Sequence, residues 1–195
     1  MSVKRGLSPS LPRATILNSA MNMPGILLTV LLFVSGLSIS RANLGETEAQ
    51  CIAKYGNEAD VQTDVGYRQV GDKAASFNVK TASVPLSVRV IFLNGLSCHE
   101  TFANADPSAG LSEKQMKAIL DSQSAGLKWE KGRTLYRTTA GTTYGSVDWL
   151  RSDGATAKFW IFGKSDSQNQ TGQVEVSTKQ YTVAQRFYDK ENGGN

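Results

Sequence analysis

Few side chains in this 195-residue chain have the types that reactions need: one histidine, His99, two cysteines, Cys51 and Cys98, and scattered carboxylates. A single imidazole excludes any metal centre that needs two histidine ligands. Cys98 and His99 are adjacent, which on paper suggests a thiol nucleophile with its base. Neighbours in a strand point to opposite faces, so the two are expected to diverge, with His99 as a surface strand residue. Gly163-Lys164-Ser165 has the ending of a phosphate-binding loop, but the glycine required five residues before Gly163 is Lys158. Gly141-Thr142-Thr143-Tyr144-Gly145 lacks the central serine of a nucleophile elbow and reads as a loop. Glu100, Glu130, Asp148 and Asp153 lie near predicted strands, and a converging pair could hydrolyse an envelope polymer by acid–base chemistry. Their spacing is equally that of solvated strand residues. No cofactor, no metal and no catalytic residue is assigned.

The elements that hold these residues begin after an address. Lys4, Arg5 and Arg13 precede a short apolar run at 26–39, and no acidic residue occurs before Glu46. Ser40-Arg41-Ala42 ends the stretch with small residues where a signal peptidase reads. The three parts predict a signal peptide over 1–42, cleaved after Ala42, with an uncleaved anchor as the alternative. The chain carries 21 Lys and Arg against 17 Asp and Glu, a net charge of +4, and four of the cations lie in that address. The remainder is formally neutral, so the basic balance supplies no argument for nucleic acid as a partner. About 153 residues suit one domain, set at 43–190, followed by a tail at 191–195. In an oxidising compartment Cys51 and Cys98 are candidates for a disulfide, the alternative being two buried thiols.

The strongest local signal is 111–126. Ser112 and Gln115 form a capping box, Leu111 and Met116 a hydrophobic staple, and Met116, Ile119 and Leu120 an apolar stripe that Gly126 ends. Residues 43–56 predict an earlier helix, with Asn43 and Glu46 as its box and Gly56 as its stop. A charged loop follows, then strands near 65–70 and 76–82 around a turn at Gly71-Asp72-Lys73. Residues 86–102 predict a hairpin on Asn94-Gly95, the dipeptide suited to a type I′ turn. Its two-residue register pairs Ile91 with Cys98, and either available register sends Cys98 to an apolar face. Strand signals continue at 129–139 and 173–177. Between them a three-residue loop at Ser152-Asp153-Gly154 places Val147, Trp149, Ala155, Ala157, Phe159 and Ile161 on one side, with Asp148 across from Lys158. A last helix is expected from Thr182.

The predicted fold is α+β: an antiparallel sheet of hairpins with two to three short helices mainly on one face. The two helix-plus-strands stretches have the order of two copies of one unit. Leu150, Lys158, Trp160 and Phe162 fall opposite the predicted core. They are either a binding surface or a second core layer under a helix.

The head Gly45-Glu46-Thr47-Glu48-Ala49-Gln50-Cys51-Ile52-Ala53-Lys54-Tyr55-Gly56 resembles the start of small exported bacterial proteins of unknown function. In these a Thr-Glu…Cys…Tyr-Gly helix follows the signal peptide, and Asn94-Gly95, Leu111-Ser112 and Trp129 come in a similar order. The resemblance implies export to the periplasm or beyond and transfers no catalytic residue. By element order the chain is also similar to outer-membrane assembly lipoproteins and β-lactamase-inhibitor-like proteins, a likeness of fold alone. The function expected is a non-enzymatic envelope binding domain whose partner is a protein or an envelope component. The alternatives are the carboxylate hydrolase and a structural envelope protein without a specific ligand.

Overall fold

The structure, a computed structural model, describes residues 44–62, 65, 69–81, 84–164 and 171–193. The predicted signal peptide lies outside the described residues. Among those described, no helix is long and apolar enough to cross a membrane.

Helix α1 (Glu48–Tyr55) leads into strands β1 (Glu58–Gln62), β2 (Lys73–Val79), β3 (Leu86–Leu93) and β4 (Leu96–Asn104). Helix α2 (Glu113–Ser122) leads into β5 (Trp129–Thr139), β6 (Thr142–Arg151), β7 (Thr156–Lys164) and β8 (Thr171–Ser177), and helix α3 (Lys179–Asn192) closes the chain. The eight strands form one antiparallel sheet in the order β1-β2-β3-β4-β8-β7-β6-β5. Two helix-plus-meander units thus meet at β4 and β8.

Both units enter in the same way. Thr47 and Gln50 form the capping box of α1, and Ser112 and Gln115 form that of α2. The backbone before each cap bonds to the last strand of its own meander. Ser97 N–H donates to Glu46 O at 2.8 Å, and Gly172 N–H donates to Leu111 O at 2.9 Å. Leu111 and Met116 are both buried in one cluster with Ile119 and Leu120, so the predicted staple and stripe close on the sheet. The helix itself ends at Ser122, and Gly126 takes a positive φ in the turn beyond.

Several expectations give way here. The cap of α1 is Thr47 rather than Asn43, because the chain before Thr47 is committed to the bonds with Ser97. Residues 58–62 form β1, read as loop because their charges mask the alternation on an outer strand. The described residues between 65 and 70 carry no strand. Gly141–Gly145 is not a loop: Ala140 and Gly141, both with positive φ, make a two-residue turn, and Thr142 pairs with Thr139. Helix α3 starts after a Thr178 cap and continues to Asn192, two residues past the expected boundary.

The predicted turns hold their places. Asn94 and Gly95 have φ of 55° and 76° in a two-residue hairpin turn. Leu93 faces Leu96, and then the register shifts, so Ile91 faces His99 and Cys98 is the extra residue of a bulge. The 152–154 loop gives the predicted partners, Asp148 with Lys158 and Val147 with Phe159. Arg151 N–H donates to Ala155 O across it, and Gly154 has φ 88°.

The main core lies between the sheet and helices α1 and α2. It contains Cys51, Tyr55, Phe77, Val88, Val90, Phe92, Met116, Ile119, Leu120, Val147, Phe159, Ile161, Val174 and Val176. A smaller cluster of Val65, Ala74, Ile91, Cys98 and Tyr181 lies on the other face, where α3 packs. Helices therefore cover both faces, two on one and one on the other. Alternation along β3 puts Val88, Val90 and Phe92 on the α1/α2 side and Ile91, expected beneath α2, on the α3 side.

Candidate interaction surface

The bulge in β4 decides the fate of the Cys98–His99 pair. Both residues turn towards α3: Cys98 joins the cluster with Tyr181, and His99 stacks on the Tyr181 ring with centroids 4.7 Å apart. His99 is buried, not a surface residue. Its Nδ1 lies 2.8 Å from Ser177 Oγ and its Nε2 3.2 Å from Thr101 Oγ1. Burial, with Arg89 nearby, pulls the imidazole down to about 4, so it is neutral at ordinary pH. The Cys98 thiol donates to Ile91 O at 3.2 Å, and burial pushes it up to about 12. A neutral thiol and an imidazole already held by two hydroxyls do not make an activated nucleophile.

Cys51 is also raised to about 12 by burial. The two cysteines are free and lie in separate clusters on opposite faces of the sheet, so the disulfide is not formed. The alternative reading, two buried thiols, describes them.

The four carboxylates are dispersed. Glu100 is fully buried on the α1/α2 side, where the Tyr55 hydroxyl donates to its Oε2 at 2.8 Å and Gln123 Nε2 at 3.1 Å. Among the described residues its Oε1 and the Oε1 of Gln123 have no hydrogen-bond partner. The nearby Lys54 ammonium is engaged by Glu46 at 2.9 Å. Burial raises the Glu100 carboxyl above the usual range against the pull of Lys54 and the Tyr55 hydroxyl. Asp153 lies in the β6–β7 turn, bound by Arg151 Nε at 2.9 Å and Nη2 at 2.7 Å. The same guanidinium donates to Gln123 O and sits over the Trp129 ring. It therefore ties the β6–β7 turn to the end of α2. Glu130 is exposed on β5, and Asp148 lies 3.9 Å from Lys158 on β6. Among the described residues no three His, Cys, Asp or Glu side chains gather to hold a metal.

What the α3 side does bring together is apolar. Alternation places Asp148, Leu150, Thr156, Lys158, Trp160 and Phe162 on this face of β6 and β7, as the sequence pattern requires. Helix α3 covers only the near end, with Thr156 and Thr182 hydroxyls 3.1 Å apart. Under it runs a cleft of about 410 Å³ lined by Asp148, Leu150, Lys158, Glu175, Tyr181 and Arg186 among others. Leu150 is 51% exposed at its rim.

Beyond α3 the face is open. Tyr144 pairs across from Phe162 and Ser146 from Trp160, while Arg137 and Leu135 follow on β5. Leu135, Arg137, Tyr144, Ser146, Trp160 and Phe162 surround a depression of about 430 Å³. Tyr144 and Phe162 meet edge to face with centroids 6.3 Å apart, and Leu135, Tyr144 and Phe162 are 47%, 49% and 41% exposed. Lys158 Nζ sits 4.8 Å from the centre of the half-buried Trp160 ring. Of the four residues singled out from sequence, Trp160 and Phe162 share this patch, Lys158 borders it, and Leu150 lies at the other end of the face. Leu135, Arg137 and Tyr144 were missed. Reading Ala140-Gly141 as a tight turn would have found them, because it sets Tyr144 opposite Arg137 and beside Phe162.

Comparison with protein-family models, with curated proteins and with solved structures returns no match for this chain.

Proposed function

We propose that this is a non-enzymatic, exported binding domain that engages a protein or envelope component through the α3 side of its sheet. One observation carries the reading: Leu135, Tyr144 and Phe162 lie beyond the reach of α3, exposed around the half-buried ring of Trp160. Contiguous exposed rings bordered by charge are the usual composition of an interface centre, because burying them gains area at small side-chain entropy cost. The chemistry elsewhere agrees with binding rather than turnover. The imidazole and both thiols are buried and neutral, and the candidate carboxylates sit in separate environments. Export rests on the sequence of residues 1–42 and remains part of the proposal.

The test is a photo-crosslinking phenylalanine analogue in place of Phe162, in cells that make the full chain, with the same analogue at Glu113 on the opposite face as control. A discrete adduct at position 162 and none at 113 is the expected result. Identical patterns at both positions, or none at either, would refute the reading and favour a structural protein without a specific ligand.

A further inference from the structure

The outer strand next to this patch has a second property that bears on the kind of partner. After Trp129, every residue of β5 is exposed, and among the described residues the strand pairs only with β6. Its outer row of N–H and C=O groups therefore faces solvent as an open sheet edge. Between 128 and 139 the chain carries Lys128, Lys131, Arg133 and Arg137 against the single acid Glu130. Among the described residues none of these four cations takes part in an ion pair. Cations of one sign along an edge repel a second copy of that edge, which disfavours β5–β5 pairing. They leave the edge complementary to a strand of opposite charge.

We infer that β5 is a docking edge for an extended acidic protein segment, which adds to the sheet as a ninth strand. This deepens, and rests on, the reading of the α3-side face as an interaction surface. The register specifies the segment. Leu135 and Arg137 line the aromatic depression, and Gly132 and Arg133 together fill the bulge opposite Asp148, with Gly132 against the Asp148 backbone. Alternate residues of a strand share a face about 7 Å apart. An added strand would therefore set an acid against Arg137, an apolar residue against Leu135, and a second acid towards Arg133. The apolar residue would lie beside Leu135, at the outer end of the apolar row that continues inward to Tyr144 and Phe162. The pattern is acid–x–apolar–x–acid. Positive charge alone would suit any polyanion, but the open backbone edge and the two-residue period suit a peptide.

The experiment measures binding of a short labelled peptide, Thr-Glu-Thr-Val-Thr-Glu-Thr, to the mature chain by fluorescence anisotropy, with amide shifts mapped by NMR. A copy methylated on alternate backbone nitrogens and a scramble with the two acids adjacent serve as controls. A single-stranded oligonucleotide and anionic phospholipid vesicles are run in parallel. The expected result is binding of the parent peptide with shifts concentrated on β5. Methylation should abolish it, and Arg137→Glu, an exposed site where refolding is not at issue, should weaken it about tenfold, the effect of losing one charge-assisted contact. No binding, equal binding of the methylated or scrambled peptide, or selective binding of the oligonucleotide or vesicles would overturn the inference. So would self-association lost on Arg137→Glu, which would make the occupant the edge strand β1 of a second copy with its Glu58 and Asp60. A Phe162 adduct without peptide binding overturns the edge inference and spares the broader reading, whereas absence of the adduct overturns that reading itself.

Discussion

Lowering the pH from about 7 to about 5 should destabilise this protein through one residue, His99. The folded state holds the imidazole near 4, against an ordinary value of 6.5, because protonation would place a charge in the layer between β4 and α3, close to Arg89. A histidine depressed in this way stabilises the fold fully above its unfolded value. That contribution is lost as the pH falls from 6.5 towards 4, because the unfolded chain takes up a proton the folded chain refuses. Linkage between these two values gives a loss of about 2 kcal/mol between pH 7 and pH 5. The assay is urea unfolding at both pH values for the wild type and for His99→Phe, which keeps a ring against Tyr181 and removes the titration. The variant is expected to be less stable at pH 7, since the Ser177 and Thr101 hydroxyls lose their partner. The gap should then narrow by about 2 kcal/mol at pH 5. Carboxylates that titrate in the same range are common to both proteins and cancel. A gap that does not change with pH would refute the reasoning.

Two further outcomes follow from the core. Glu100 has the opposite sign: its raised carboxyl makes the fold lose stability as the pH climbs above the ordinary value of 4.5, so Glu100→Gln should gain on the wild type between pH 4 and pH 8. Equal displacement of the urea midpoint at both ends would contradict the burial argument. Gly172 has no room for a side chain, since a Cβ there would stand 1.7 Å from the carbonyl oxygen of Trp160. Gly172→Ala should therefore cost about 2 kcal/mol or more by forcing β7 from β8 and loosening the Leu111 bridge, measured as a fall in Tm. A Tm within a degree of the wild type would show that the strands part freely.

Local rules that span only a few residues were legible in the chain. The Ser112–Gln115 box and the Leu111–Met116 staple depend on contacts one helical turn apart. Asn94-Gly95 and the loop with Gly154 are set by backbone preferences at positive φ, so the hairpins formed where expected. Alternation around the second hairpin sorted Val147, Phe159 and Ile161 from Trp160 and Phe162 without any knowledge of what each face would meet.

Tertiary structure decided what those faces became. The bulge at Cys98 is one extra residue on β4 between the Phe92–Ser97 and Ile91–His99 pairs, and no residue type announces it. It set His99 on the same face as Cys98 and Ile91, against Tyr181 of α3. The joining of β4 to β8, and the placing of α3 on the second face, depend on contacts between segments distant in the chain, where area buried outweighs local preference. The Trp160–Phe162 face is encoded by alternation. Its being covered by α3 at one end and open beside a basic edge at the other follows only from how far a fourteen-residue helix reaches across eight strands.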